Sequence, residues 1–91
     1  MTFNILITDG LEEAGQSILR ETGQVHDRTG ISAEELLTIV PNYHALVVRG
    51  RTKVTAAVFE AAKNLKVVGR AGVGVDNIDL AAAKAHGVTV V

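Results

Sequence analysis

Apolar residues fall along the chain in short unbroken clusters, and between the clusters they recur at helical spacing. "FNILITD" (3–9) is continuously apolar at its centre, the pattern of a strand covered on both faces. "LEEAGQSILRE" (11–21) carries Leu11, Ala14, Ile18 and Leu19 on one side of a helix, with Asp9 and Glu12 at capping-box positions. "GQVHD" (23–27) is short and half polar, as an edge strand is, and "SAEELLTIV" (32–40) opens on a second capping box, Ser32 with Glu35, and stops before Pro41.

The alternation continues to the end of the sequence. "HALVVRG" (44–50) reads as a third strand, "TAAVFEAAKN" (55–64) as a helix with Val58, Phe59 and Ala62 on one face, and "LKVVGR" (65–70) as a fourth strand. "NIDLAAAKAHG" (77–87) is a helix ended by Gly87, and "VTVV" (88–91) is a fifth strand. Strands joined by helical crossovers run parallel, so the pattern predicts an α/β, three-layer sandwich. The flavodoxin-like order 2-1-3-4-5 places the half-polar second strand at an edge.

Composition narrows what such a sheet can do. Ninety-one residues, 47% of them hydrophobic, suffice for one domain with one core. Nine basic and ten acidic residues are interspersed, so no long-range field favours nucleic acid or an anionic membrane, and any anion site is local. The absence of cysteine excludes a disulfide framework and a thiolate site, and no run approaches the ~20 apolar residues of a spanning helix. With no signal peptide at the start, a cytoplasmic protein is expected.

In an open parallel sheet, ligands bind beyond the carboxyl ends of the strands. Asp9-Gly10 follows the first strand, Arg49-Gly50-Arg51-Thr52-Lys53 the third, and Arg70-Ala71-Gly72-Val73-Gly74 the fourth. Arg49 and Arg70 then stand on one rim, about one strand spacing (~4.8 Å) apart at their backbones, where guanidinium groups hold carboxylate or phosphate. The Gly72-Val73-Gly74 turn can aim amides at the same anion, and a helix beginning near Asn77 adds its positive end. A strand-to-helix turn also needs glycine for backbone reasons alone, and Asp76 or Asn77 is a routine cap, so both readings stand at this point. Arg51 and Lys53 read as rim charges. His26, His44 and His86 lie far apart in the pattern, no metal-ligating cluster is spaced for a site, and no general base emerges.

The run "VVGRAGVGVDNIDL", supported by "VVRGRTKVT", resembles the N-terminal segment of the D-isomer-specific 2-hydroxyacid dehydrogenases, and the likeness extends from "ILITDGLEEAG" to the last strand. The resemblance implies that residues 1–91 are one flavodoxin-like piece of a substrate-binding domain, with the dinucleotide-binding domain absent. It implies that Arg49, Arg70, Gly72, Val73 and Gly74 bind the substrate's acidic groups and that Val73 also lies close to the nicotinamide end of NAD. Phosphoglycerate-type members oxidise 3-phospho-D-glycerate to 3-phosphooxypyruvate in serine biosynthesis. Gly50 departs from a serine often found after the first arginine, and Val73 from a threonine seen in some relatives. The family's catalytic arginine, glutamate and histidine lie beyond the equivalent of Val91, so this chain is expected to hold no catalytic residue, to be inactive alone and to bind no cofactor tightly.

Two other readings remain at this level. One is a free-standing flavodoxin-like anion-binding or assembly module. The other is a segment of a related glycerate, lactate or formate dehydrogenase, whose substrates lack the phosphate and would leave two arginines with less to do. Apolar surface normally covered by further segments can also be covered by self-association into a homo-oligomer.

Overall fold

A computed structural model describes residues 3–71 and 77–91. Its elements run β1 (Asn4–Ile7), α1 (Glu13–Thr22), β2 (Gln24–Asp27), α2 (Ala33–Ile39), a 3-10 turn (Val40–Asn42), β3 (Ala45–Val48), α3 (Ala56–Ala61), β4 (Val67–Arg70), α4 (Leu80–Ala85) and β5 (Thr89–Val90). The five strands form one sheet in the order β2-β1-β3-β4-β5, every pair parallel, as the sequence pattern predicts. Ile5 pairs with Ala45 and Ala45 with Val67, while Leu46 pairs with Val68 and Val48 with Arg70.

This register sorts the side chains by face, because paired residues in a parallel sheet point to the same side. Leu6, Leu46 and Val68 share one face and join a core with Leu36 of α2, Val58 and Phe59 of α3 and Ala83 of α4. Phe59 is the largest of these fully buried side chains. The opposite face carries Ile5, Ala45, Val67 and Thr89, then Ile7, Val47 and Gly69. Right-handed crossovers put only α1 of the four helices there, since only the β1-to-β2 step runs against the direction of the others. Cover on this face is therefore uneven. Ile5 and Ile7 are buried, Val47 and Val67 are half-buried, and Val91 is 66% exposed.

Local chemistry fixes most element ends. Ser32 accepts the amide of Glu35 (3.2 Å), and Thr55 that of Val58 (3.4 Å), each capping its helix. Gly87 ends α4 with φ +70°, a left-handed conformation that glycine adopts without steric cost.

Two expected caps are corrected. Glu12, not Asp9, occupies the N-cap of α1 and makes no side-chain cap; the Asp9 carboxylate is instead taken up by the amides of Arg49 and Thr52. α4 starts at Leu80 and not near Asn77: Asp79 accepts the amide of Ala82 (2.9 Å) as its N-cap, and the helix is six residues long; the other expected cap, Asp76, lies outside the described residues. Among the described residues no helix is long and apolar enough to cross a membrane.

Candidate anion-binding rim at the carboxyl ends of the strands

The carboxyl ends of β1, β3 and β4 come together at one edge of the sheet. Arg70 closes β4 opposite Val48, and Arg49 is the next residue after Val48, so the two arginines leave neighbouring strands at the same rim. Arg70 is half-buried, with its amide on the carbonyl of Val91 (3.0 Å), and the amide of Ala71 reaches back to the carbonyl of Val48 (2.8 Å). Arg49 is exposed. The other three expected site residues, Gly72, Val73 and Gly74, lie outside the described residues.

Asp9 organises this edge. Its side chain is 3% exposed, and its carboxylate accepts the amides of Arg49 (2.8 Å) and Thr52 (3.0 Å), the hydroxyl of Thr52, and Arg51 Nε at 3.2 Å. Burial pushes the Asp9 carboxyl up, but the Thr52 hydroxyl, the two amides and the Arg51 charge together outweigh it and hold the group below its ordinary value. Asn77 closes the same loop from the other side. Its carboxamide nitrogen donates to the carbonyls of Arg49 and Thr52, the second at 2.8 Å.

Residues 49–52 are thus held between two side chains distant in sequence. A parallel bridge between Val54 and Ile78 fastens the neighbouring backbone, through Val54 N to Asn77 O (2.7 Å) and Asp79 N to Val54 O (2.9 Å).

Arg51 is more than a rim charge. Its Nη2 donates to the carbonyls of Thr8 (3.1 Å) and Ile31 (2.9 Å), tying the exits of β1 and β2 to the loop after β3. Lys53 remains exposed, as expected of a rim residue. The roles of Asp9, Arg51, Thr52 and Asn77 have no signal in periodicity or spacing, because each depends on partners that only the fold brings near.

Two histidines have structural partners. His26 Nδ1 meets the Tyr43 hydroxyl at 2.6 Å, and burial pushes that phenol up. His44 Nδ1 accepts the amide of Asn4 (3.0 Å), and its ring stacks on Phe3 at the opposite end of the sheet from the arginines. His86 follows α4 as its C-cap.

The arrangement resembles known proteins in both sequence and fold. Residues 5–91 match the family model described as "D-isomer specific 2-hydroxyacid dehydrogenase, catalytic domain". The chain is 57% identical over 88 residues to D-3-phosphoglycerate dehydrogenase 2, chloroplastic, of Arabidopsis thaliana; the match covers 96% of this chain but only 14% of the Arabidopsis protein. It is similar in structure to the PH0520 protein of Pyrococcus horikoshii OT3, with TM-score 0.93 and 29% identity over 99% of this chain and 27% of that one. A cofactor (NAD+)-bound 3-phosphoglycerate dehydrogenase of Entamoeba histolytica shares the fold, with TM-score 0.78 and 20% identity over 99% of this chain and 32% of the other. By the family match across nearly its whole length, the chain belongs to the D-isomer-specific 2-hydroxyacid dehydrogenases.

Proposed function

We propose that this chain is the first part of the substrate-binding domain of an NAD-dependent D-3-phosphoglycerate dehydrogenase, which oxidises 3-phospho-D-glycerate to 3-phosphooxypyruvate in serine biosynthesis. The observation that carries the reading is the pair Arg49 and Arg70, leaving adjacent parallel strands at the ligand-binding edge of the sheet. The names of the relatives support it, and the unevenly covered face around Val47, Val67 and Val91 is consistent with a unit that works against further protein.

In this reading, oxidation at C2 sends a hydride to the nicotinamide and the hydroxyl proton to a base supplied outside these residues. The chain's own contribution is binding and charge neutralisation. Arg49 and Arg70 grip the phosphate and carboxylate, and the amides of Val73 and Gly74 serve the carboxylate. This cationic edge suits an acidic substrate, and contact with the cofactor is confined to Val73 near the nicotinamide end. A substrate carrying both a phosphate and a carboxylate, met by two guanidinium groups, is oriented as well as retained, which is where a binding segment contributes to rate.

Titration of the purified chain, followed by the amide spectrum, tests the proposal. Inorganic phosphate and 3-phospho-D-glycerate should shift amides around residues 49–52 and 70, and the Arg49→Ala, Arg70→Ala double variant should abolish the response. NAD should bind weakly or not at all, and the chain alone should not turn over phosphoglycerate. Tight dinucleotide binding, or a response to phosphoglycerate that survives the double substitution, would overturn the reading.

A further inference from the structure

Two arginines flank Gly50, and the fold treats them differently. Arg51 directs its guanidinium inward, to Asp9 and to the carbonyls of Thr8 and Ile31. Arg49 is attached by its main chain, with the amide on Asp9 Oδ2 and the carbonyl on Asn77 Nδ2. Among the described residues the Arg49 side chain has no ion pair or hydrogen bond. We infer that Asp9 is a positioning residue for Arg49: it fixes the Arg49 backbone while Arg51 answers its charge, so the Arg49 guanidinium stays available to an incoming anion.

This inference rests on the substrate role proposed for Arg49 and deepens it. A buried carboxylate next to an anion site would ordinarily repel the ligand or capture the nearest guanidinium. Here its charge is met by three hydrogen bonds and the Arg51 Nε. Thr52 completes the arrangement from the far end of the loop, giving Asp9 both its amide and its hydroxyl and giving Asn77 its carbonyl. An asparagine at position 9 keeps the shape but offers one acceptor oxygen where the loop presents donors to two. The loop then loses its fixed orientation, and the anion meets an Arg49 whose ordering must be completed on binding.

The test is a titration of the 91-residue chain with 3-phospho-D-glycerate, read by amide shifts at a temperature where every variant is folded. Asp9→Asn should weaken binding by roughly tenfold, the loss that accompanies one charge-assisted hydrogen bond. Should Asp9→Asn fail to fold, the pair Thr52→Val and Thr52→Ser decides. Valine removes the hydroxyl donor from a buried site of similar volume and should weaken binding several-fold, whereas serine restores the donor and should bind within about twofold of the parent. A purely structural role for the hydroxyl would lower the melting temperature of Thr52→Val and leave its affinity in the folded range untouched.

The arms separate the two ideas. Loss of binding in Arg49→Ala with unchanged binding in Asp9→Asn and Thr52→Val overturns the positioning role and leaves the substrate reading intact. A parent chain that does not bind 3-phospho-D-glycerate, or an Arg49→Ala variant that binds as the parent does, removes the substrate reading and the positioning role together.

Discussion

Replacing Asn77 with alanine removes the side chain that holds the arginine loop against the segment leading into α4. Two donors from its carboxamide to the carbonyls of Arg49 and Thr52 are lost. A neutral hydrogen bond of this kind contributes a net ~1 kcal/mol, and Asn77 is half-buried, so water reaches part of the freed surface and limits the loss to about 1–2 kcal/mol for the pair. A chain of 91 residues unfolds with an entropy of about 0.19 kcal/mol/K, which converts that loss to a fall of roughly 5–10 °C in the melting temperature. Asn77→Asp should be worse than alanine at pH 7, because the carboxylate has no proton to donate and faces two carbonyl oxygens. Its deficit relative to alanine should shrink as the pH falls and the carboxyl regains a donor. Thermal melts followed by circular dichroism, at pH 7 and pH 4, check both variants. An Asn77→Ala melting point within about 1–2 °C of the parent, or an Asn77→Asp variant as stable as the parent at pH 7, would show that the two carboxamide hydrogen bonds do not hold the loop.

Other consequences concern the sheet and its acid sensitivity. Gly23 has an extended backbone (φ −171°), yet a Cβ placed there would lie 2.0 Å from the carbonyl oxygen of Phe3, which also accepts the amide of Gln24. Gly23→Ala should therefore cost about 1–3 kcal/mol in a denaturant melt and expose the Gln24 amide to hydrogen exchange; retention of both stability and protection would contradict the close approach. The folded state depresses the Asp9 carboxyl, so its contribution to stability is fully present above the ordinary carboxylate range and is lost as pH falls through the lowered value. Melting temperature plotted against pH should consequently drop more steeply below about pH 4 for the parent than for Asp9→Asn, and parallel curves would show that Asp9 carries no such linkage. Phe59→Ala should be among the most damaging core truncations, at roughly 3–5 kcal/mol, since the ring is fully buried where α3 meets the sheet. A loss below about 1 kcal/mol in the same melt would mean that the core repacks around it.

The parts of the fold legible in the sequence are those written in local patterns. Continuous apolar runs at 5–7 and 45–48 mark the buried strands, Ser32 marks the start of α2, and Gly87 marks the end of α4. The strand order followed from the alternation together with crossover handedness, and the placement of Arg49 and Arg70 followed from that order. The misreadings also have a common physical origin. Aspartate and asparagine before a helix are good caps, and nothing local distinguishes Asp9 or Asn77 from a capping residue. Their actual partners lie in the loop at 49–52, 40 or more residues from Asp9 and at least 25 from Asn77. Arg51 was legible as a charge near the rim but not as a brace, because its acceptors are main-chain carbonyls that carry no sequence signal.

The ratio of two affinities probes the proposed recognition of an anionic, phosphorylated hydroxy acid by Arg49 and Arg70. Calorimetric titration of the chain with 3-phospho-D-glycerate and with D-glycerate, which lacks the phosphate, should give tighter binding of the phosphorylated acid by roughly tenfold or more, as an added guanidinium–phosphate contact implies. That preference should collapse in the Arg49→Ala, Arg70→Ala variant. Equal affinity for the two acids in the parent, or a preference unchanged by the double substitution, would contradict it.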